Sequence, residues 1–220
     1  MPSNDSPRVS RRSILIGTGI GVVGVGVGGA YLGSRSPEIE LANADLGTTG
    51  PKVLVAYDSQ YGSTGGVATA IGAHLALKAH VHVRHITEVS SVEDYAAVVF
   101  GSPVQRSQMK ESAVEWLGQQ SASINQRPMA MFMPSASFGI DPDKASQRAE
   151  KLELMQQAAS DSGTSPVSML PMGGLVDFSL MSPITSVVYR VTAGNGTEGD
   201  FRDFDAVKAW TEEITPQLGL

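Results

Sequence analysis

Short apolar runs alternate along this chain with longer segments of helical spacing. The first run, Val53–Tyr57, is continuously apolar, which is typical of a strand buried on both faces of a sheet. The second, Val81–Ile86, alternates between apolar and polar positions and fits a more exposed strand. The pattern predicts five strands: Val53–Tyr57, Val81–Ile86, Tyr95–Phe100, Met129–Met133 and Val167–Leu170.

Helical spacing of apolar residues occupies four segments, three between predicted strands and one after the last strand. The predicted helices cover Thr64–Lys78, Ser112–Ser123, Asp143–Ser160 and Asp203–Ile214. In the last helix Val207, Trp210 and Ile214 share one face, and Asp203 is placed to cap the first turn. This alternation predicts an α/β fold with a parallel sheet between two layers of helices. Five strands fit the order 2-1-3-4-5, in which a ligand binds beyond the carboxyl ends of the strands.

Composition narrows the range of functions. The chain has no cysteine, which excludes a disulfide, a thiolate metal site and a thiol nucleophile. The net charge is −6, and four of the 16 basic residues lie in the first 35 positions, so the remainder is more acidic still. This balance repels phosphate backbones, and we expect no nucleic-acid partner. His80 and His82 share a strand face, but no Asp or Glu is spaced to complete a metal site, so we expect no metal.

The N-terminal 35 residues have the layout of a signal segment or a membrane anchor. Arg11 and Arg12 are followed by 22 uncharged residues that end before Arg35. The stretch Ser10–Ile16 resembles the twin-arginine export signal, and basic residues before an apolar span predict a domain outside the cytoplasm. A plain anchor, with the domain at the cytoplasmic face of the membrane, is the alternative. We therefore divide the chain into a signal or anchor (1–35), a linker (36–51) and a folded domain (52–220).

A loop rich in small and hydroxyl residues lies between the first predicted strand and the first predicted helix. It consists of Ser59, Gln60, Tyr61, Gly62, Ser63 and Thr64. The free N–H groups and partial positive charge of a helix N-terminus, together with these hydroxyls, can bind a phosphate without Lys or Arg. An ordinary capping turn favours the same residue types, so both interpretations stand. The loop lacks the glycine patterns of nucleoside triphosphate and dinucleotide sites.

Three stretches of the chain resemble flavodoxins: Lys52–Ile71, which contains the loop, then Tyr95–Val104, and Gly199–Trp210. The resemblance extends over residues 52–215 and is greatest to the branch that contains menaquinone-dependent protoporphyrinogen dehydrogenase. It implies a flavodoxin-like three-layer sandwich with a five-stranded parallel sheet in the order 2-1-3-4-5.

The resemblance also implies an FMN cofactor held by three loops at the strand ends. The loop of residues 59–64 would bind the phosphate. The second and third loops would flank the isoalloxazine ring. Their residues are Ser102, Pro103, Val104, Gln105 and Arg106, and then Ser135, Ala136, Ser137, Phe138 and Gly139. Arg106 and backbone N–H groups would stabilise the anionic reduced flavin near N1 and C2=O.

The resemblance implies an FMN-binding redox protein, exported or membrane-tethered, that transfers electrons between a donor and a quinone or protein acceptor. Whether it is an FMN-dependent oxidoreductase, like the quinone-dependent dehydrogenases, stays open. The second expectation is a flavin-free flavodoxin-like module that binds a partner through the apolar loop of residues 173–199. This alternative is motivated by the second loop, which has no aromatic residue through Gln108 that could stack on a flavin. The nearby aromatic residues are Tyr61 and Phe138.

Overall fold

The computed structural model describes residues 41–59, 61–105, 107–140, 144–180 and 198–220. The strands are β1 (Ala44–Leu46), β2 (Lys52–Tyr57), β3 (His80–His85), β4 (Ala97–Gly101), β5 (Val104–Gln105), β6 (Gln108–Met109), β7 (Met129–Ser135), β8 (Ser168–Gly173), β9 (Leu175–Val176) and β10 (Gly199–Asp200). The helices are α1 (Ser63–Leu75), α2 (Glu111–Ile124), α3 (Ser137–Ile140), α4 (Lys144–Ser162) and α5 (Phe204–Gln217). Short 3-10 turns follow β3 and β9, at Ile86–Glu88 and Phe178–Leu180.

The central sheet has the strand order β1-β3-β2-β4-β7-β8. All pairs from β3 through β8 are parallel. The five predicted strands are therefore confirmed, and numbered among themselves they have the predicted order 2-1-3-4-5. The strands β2, β4 and β7 are buried at nearly every position, as expected of a parallel sheet covered on both faces.

A sixth strand, β1, extends the predicted sheet at the β3 edge. It pairs antiparallel with β3, so that Ala44 lies opposite Val83 and Leu46 opposite Val81. Arg84 holds it there, because its guanidinium donates to the carbonyl oxygen of Ala44 at 2.8 Å and pairs with Asp45. This strand lies within the range that the sequence assigns to a linker. Three residues are too few to show a period-two pattern.

Two apolar layers enclose the sheet. On one face α1 and α5 pack with Val53, Val55 and Val99, and on the other α2 and α4 pack with Leu54 and Phe100. The three-layer sandwich is thus observed, and it follows from the alternation of side chains along each buried strand.

The start of α5 is also as predicted. The Asp203 carboxylate accepts a hydrogen bond from the Ala206 N–H at 2.9 Å and caps the first turn. The helix ends at Gln217, three residues beyond Ile214, where the sequence pattern ends it.

Two small antiparallel hairpins extend from the sheet near its carboxyl edge. One, β5–β6, lies between β4 and α2, and the other, β9–β10, lies between β8 and α5. The apolar loop predicted at 173–199 contains β9, but its residues 181–197 lie outside the described residues. The N-terminal segment 1–35 also lies outside them. Within the described ranges, no helix has the length and apolar character needed to cross a bilayer.

Candidate functional site

Three loops leave the sheet side by side at its carboxyl edge. In the sheet Tyr57 of β2 is paired with Gly101 of β4, and Gly101 is paired with Phe132 of β7. The loops that follow β2, β4 and β7 therefore emerge as neighbours. They begin at the point where the strand order reverses, which is the position where ligands bind in doubly wound sheets.

The loop after β2 forms a tight turn that starts α1. The hydroxyl oxygen of Ser59 accepts a hydrogen bond from the Gly62 N–H at 3.0 Å. Gly62 has a φ of 81°, in the left-handed region that favours glycine, and it is the N-cap residue of α1. Because Gly62 has no side chain that could cap the helix, the N–H groups of the first turn remain directed toward the loop.

Thr64 has a buried hydroxyl in the first turn of this 13-residue helix. The residue is 1% exposed, and its Oγ1 has no hydrogen-bond partner among the described residues. One turn further along, Thr69 donates its hydroxyl to the carbonyl oxygen of Gly65 at 3.0 Å. An unsatisfied buried hydroxyl costs roughly 1–3 kcal/mol. A buried hydroxyl of this kind calls for an explanation, and an anion at the helix N-terminus would supply the missing acceptor.

Part of the second predicted loop forms local hydrogen bonds and a short hairpin. Ser102 is fully buried, and its hydroxyl donates to the Pro103 carbonyl oxygen at 3.3 Å. Val104 and Gln105 form the first strand of the hairpin β5–β6. Arg106, the expected partner of the reduced flavin, lies outside the described residues, as does Gln60 of the first loop.

In the third predicted loop, two hydroxyl groups form a hydrogen bond with each other. The Ser135 and Ser137 hydroxyl oxygens lie 2.8 Å apart. Gly139 lies in the short helix α3. Phe138 is 9% exposed, so its ring packs in the interior and is not a free stacking surface, while Tyr61 and Ala136 are half-buried.

A buried ion pair involves the residue that directly precedes the first loop. This pair is not predicted from the sequence. Asp58, which precedes Ser59, is 0% exposed, and its Oδ1 is 2.6 Å from Lys110 Nζ. Its Oδ2 accepts from the Ser112 hydroxyl at 2.5 Å. Burial opposes ionisation, but hydrogen bonds from His85, Lys110 and Ser112 hold the pKa of Asp58 well below its usual range.

The orientation of His85 follows from its neighbours. Its Nδ1 accepts a hydrogen bond from the Thr87 N–H at 3.3 Å, which leaves Nε2 as the ring nitrogen that can donate. That Nε2 lies 3.5 Å from Oδ1 of Asp58. The side chain of Asp58 therefore lies next to donors from His85 at the end of β3 and from Lys110 and Ser112 at the start of α2. Lys110 lies 52 positions from Asp58, so no local sequence pattern reveals the pair.

A second basic side chain lies against the first turn of α1. A Cβ atom placed on Gly66 would be 2.6 Å from Nη1 of Arg202. The Arg202 guanidinium is held by Asp200, with Nε 2.7 Å from Oδ1 and Nη2 2.5 Å from Oδ2. The hydrogen bonds from Arg202 lower the pKa of Asp200. The Gly199–Trp210 stretch contains this pair, but its proximity to α1 depends on the tertiary fold.

Two of the remaining histidines lie next to each other on β3. The His80 and His82 rings meet edge to face with centroids 4.7 Å apart, and His82 Nδ1 is 3.0 Å from the Tyr95 hydroxyl. Across the described part of the chain, no group of three or more His, Asp or Glu side chains is arranged to hold a metal ion.

The sheet order and the ligand-type loops at its carboxyl edge define a flavodoxin-like α/β protein. The family model described as "Flavodoxin domain" matches residues 54–182, which is more than half of the chain. The chain therefore belongs to the flavodoxin-domain family. A comparison with curated protein sequences finds no match.

Comparison with solved structures finds flavodoxins and a larger enzyme. A flavodoxin from the domain Archaea is 17% identical, with 77% of this chain and 99% of that chain covered and a TM-score of 0.48. Oxidised flavodoxin 1 from Bacillus cereus is 12% identical, with 76% and 99% covered and a TM-score of 0.49. Rubredoxin oxygen:oxidoreductase from Desulfovibrio gigas is 13% identical, with 77% of this chain but 37% of that chain covered and a TM-score of 0.46.

Proposed function

We propose that this protein is an FMN-binding redox protein whose phosphate site is the loop of residues 59–64. The observation that carries the proposal is the Thr64 hydroxyl, which is buried without a partner at the head of α1. A phosphate oxygen placed there would accept from this hydroxyl and from the N–H groups of the first turn. Membership of the flavodoxin-domain family supports the same ligand.

The residues of the three loops fit this role to different degrees. Thr64 is free to donate, and Ser63 keeps its O–H available because its oxygen acts as an acceptor in the bond to the Leu175 N–H. Ser59 and Gly62 shape the turn. The loops after β4 and β7 would flank the ring. Bound FMN supplies one- and two-electron transfer, and the chain supplies its orientation and electrostatic environment.

The test is a titration of the full chain, freed of flavin, with FMN. Quenching of flavin fluorescence at one equivalent per chain is the expected result. A chain that shows no saturable quenching and gains no flavin absorbance would contradict the proposal.

The electron acceptor and the location are a further part of the proposal. The resemblance to the quinone-dependent branch favours a quinone or protein acceptor, and the segment 1–35 favours export or a membrane tether. Replacing the pair by lysine, Arg11→Lys with Arg12→Lys, should block a twin-arginine-type export. An unchanged location would instead favour an anchor with the domain at the cytoplasmic face.

A flavin-free binding module is the second candidate, and one observation favours it. Phe138 is packed in the interior, so it offers no exposed ring for a flavin to stack on. In that case the 173–199 loop would meet a protein partner, and the same titration would show no binding. Substitutions at Thr64 would then leave partner binding unchanged.

A further inference from the structure

The carboxylate of Asp58 creates an electrostatic problem for the proposed phosphate site. It directly precedes Ser59, the first residue of the loop, and it is 0% exposed. Its pKa is held low, so it is ionised at neutral pH. A buried negative charge next to an anion-binding loop opposes the binding of a phosphate dianion, because the protein interior screens the repulsion less than water does.

Lys110 neutralises this charge. Its Nζ lies 2.6 Å from Asp58 Oδ1, and its side chain is 25% exposed, so the ammonium group lies between the buried carboxylate and solvent. Ser112 donates a hydrogen bond to the carboxylate, and His85 Nε2 lies 3.5 Å from it. Of the described residues in contact with the carboxylate, Lys110 is the one that carries a permanent positive charge. The pair connects the loop after β2 to the segment that precedes α2.

Among the described residues, the other basic side chain that lies near the loop, Arg202, is already paired. Arg202 makes two hydrogen bonds to Asp200, so that pair is close to neutral as a unit. Across the described part of the chain, Lys110 is therefore the cation that decides whether the Asp58 charge beside the loop is balanced. Loss of the lysine would leave one uncompensated negative charge, and loss of the carboxylate would leave one positive charge.

We propose that Lys110 is a specificity-determining residue that lets the loop of residues 59–64 accept a doubly charged phosphate, and that Asp58 holds it in position. This inference rests on the proposed function and deepens it, because it states which class of flavin the site selects. The site should prefer the phosphorylated flavin over riboflavin, which lacks the phosphate and is uncharged. The preference should depend on Lys110 even though the loop itself contains no basic residue in its sequence.

The experiment compares FMN and riboflavin binding to four forms of the full chain by fluorescence quenching at low ionic strength. The forms are wild type, Lys110→Met, Asp58→Asn and the double variant. Lys110→Met should weaken FMN binding about tenfold and leave riboflavin binding within about twofold of wild type. Asp58→Asn should bind FMN at least as tightly as wild type. The double variant, which is neutral again, should recover to within about threefold.

Lys78→Met is the matched control. It removes the same charge from an exposed lysine beyond the other end of α1, and it should change FMN binding by less than about twofold. Lys110→Arg keeps the charge and should retain FMN affinity. The thermal midpoint of each flavin-free variant shows whether it is folded. If Lys110→Met fails to fold, Asp58→Asn and Lys110→Arg carry the test.

Four results separate the possible failures. Equal losses of FMN and riboflavin affinity in Lys110→Met would assign the lysine a structural role and overturn the inference. Weaker FMN binding in Asp58→Asn, or unchanged binding in a folded Lys110→Met, would overturn it as well. A wild-type chain that binds neither flavin would contradict the proposed function itself, and the inference with it.

Discussion

The side-chain oxygen of Ser63 accepts a hydrogen bond from the backbone N–H of Leu175 at 2.9 Å. These residues lie 112 positions apart, one at the start of α1 and the other in β9. The bond ties the proposed phosphate loop to the excursion between β8 and α5. A change in the position of Ser63 at the start of α1 should therefore alter the hydrogen bond that holds Leu175, and a movement of Leu175 should alter the same bond.

Removal of the Ser63 hydroxyl should loosen this connection. In Ser63→Ala the Leu175 N–H loses its acceptor, and we expect its hydrogen exchange to accelerate about fivefold, which corresponds to a loss of ~1 kcal/mol. The Val98 N–H, bonded to the Pro128 carbonyl oxygen in the sheet, serves as the internal control and should not change. Equal exchange of Leu175 in both proteins would show that the bond contributes nothing to local stability.

Asp58 should contribute to stability in a pH-dependent way. Burial opposes its ionisation, yet its hydrogen-bond donors hold the folded-state pKa below the usual value of about 4 for an aspartate. The ionised carboxylate therefore stabilises the fold above about pH 4, and this contribution is lost as the pH falls toward the folded-state pKa. Between pH 5 and 3, the free energy of unfolding of wild type should fall more steeply than that of Asp58→Asn.

Other carboxylates do not obscure this comparison. Hydrogen bonds from arginine also lower the pKa values of Asp45 and Asp200, but both residues are present in wild type and in the variant. Urea unfolding at several pH values measures the difference. Parallel pH profiles of the two proteins would contradict the assignment of Asp58 as an ionised buried group.

Any side chain at Gly173 should destabilise the fold. A Cβ atom there would lie 1.9 Å from the carbonyl oxygen of Phe201 and 2.8 Å from its carbonyl carbon, and a backbone atom cannot move aside cheaply. We expect Gly173→Ala to lower the free energy of unfolding by roughly 1–3 kcal/mol.

Gly118 provides the matched control for this substitution. It lies inside α2, and a Cβ atom there would meet nothing within 4 Å. Gly118→Ala should raise the free energy of unfolding by roughly 0.5–1 kcal/mol, because alanine favours the helix. Urea unfolding of both variants decides the matter, and a neutral Gly173→Ala would mean that β8 and the segment before α5 are not in close contact.

The sequence predicts the parallel sheet because its strands are long enough to show their patterns. The continuous apolar run Val53–Tyr57 indicates a strand buried on both faces, and the alternating run near Val81 indicates a strand with one more exposed face. Strand β1 and the two hairpins have two or three residues per strand, so they depend on partners from distant parts of the chain. The Asp203 cap is predictable because its partner is three residues away.

The candidate site divides in the same way. Residue types and position predict the loop of residues 59–64, since a helix start selects small and hydroxyl residues. The Asp58–Lys110 pair joins residues 52 positions apart, and only the fold brings them together. The burial of Phe138 likewise depends on packing that residue type does not reveal.

The most direct test of the central claim is the substitution Thr64→Val. In the proposed site this buried hydroxyl is unpaired until a phosphate accepts its hydrogen bond. Valine has nearly the same shape, so without flavin the variant should unfold with a free energy equal to wild type or up to about 1–3 kcal/mol higher. Thr69→Val, on the same helix, is the control and should bind FMN as wild type does.

The measurement is the dissociation constant of FMN for Thr64→Val beside its flavin-free stability. Loss of a hydrogen bond to a charged phosphate should weaken binding about tenfold to a hundredfold, while stability stays equal or rises. A variant that binds FMN as tightly as wild type would contradict the account.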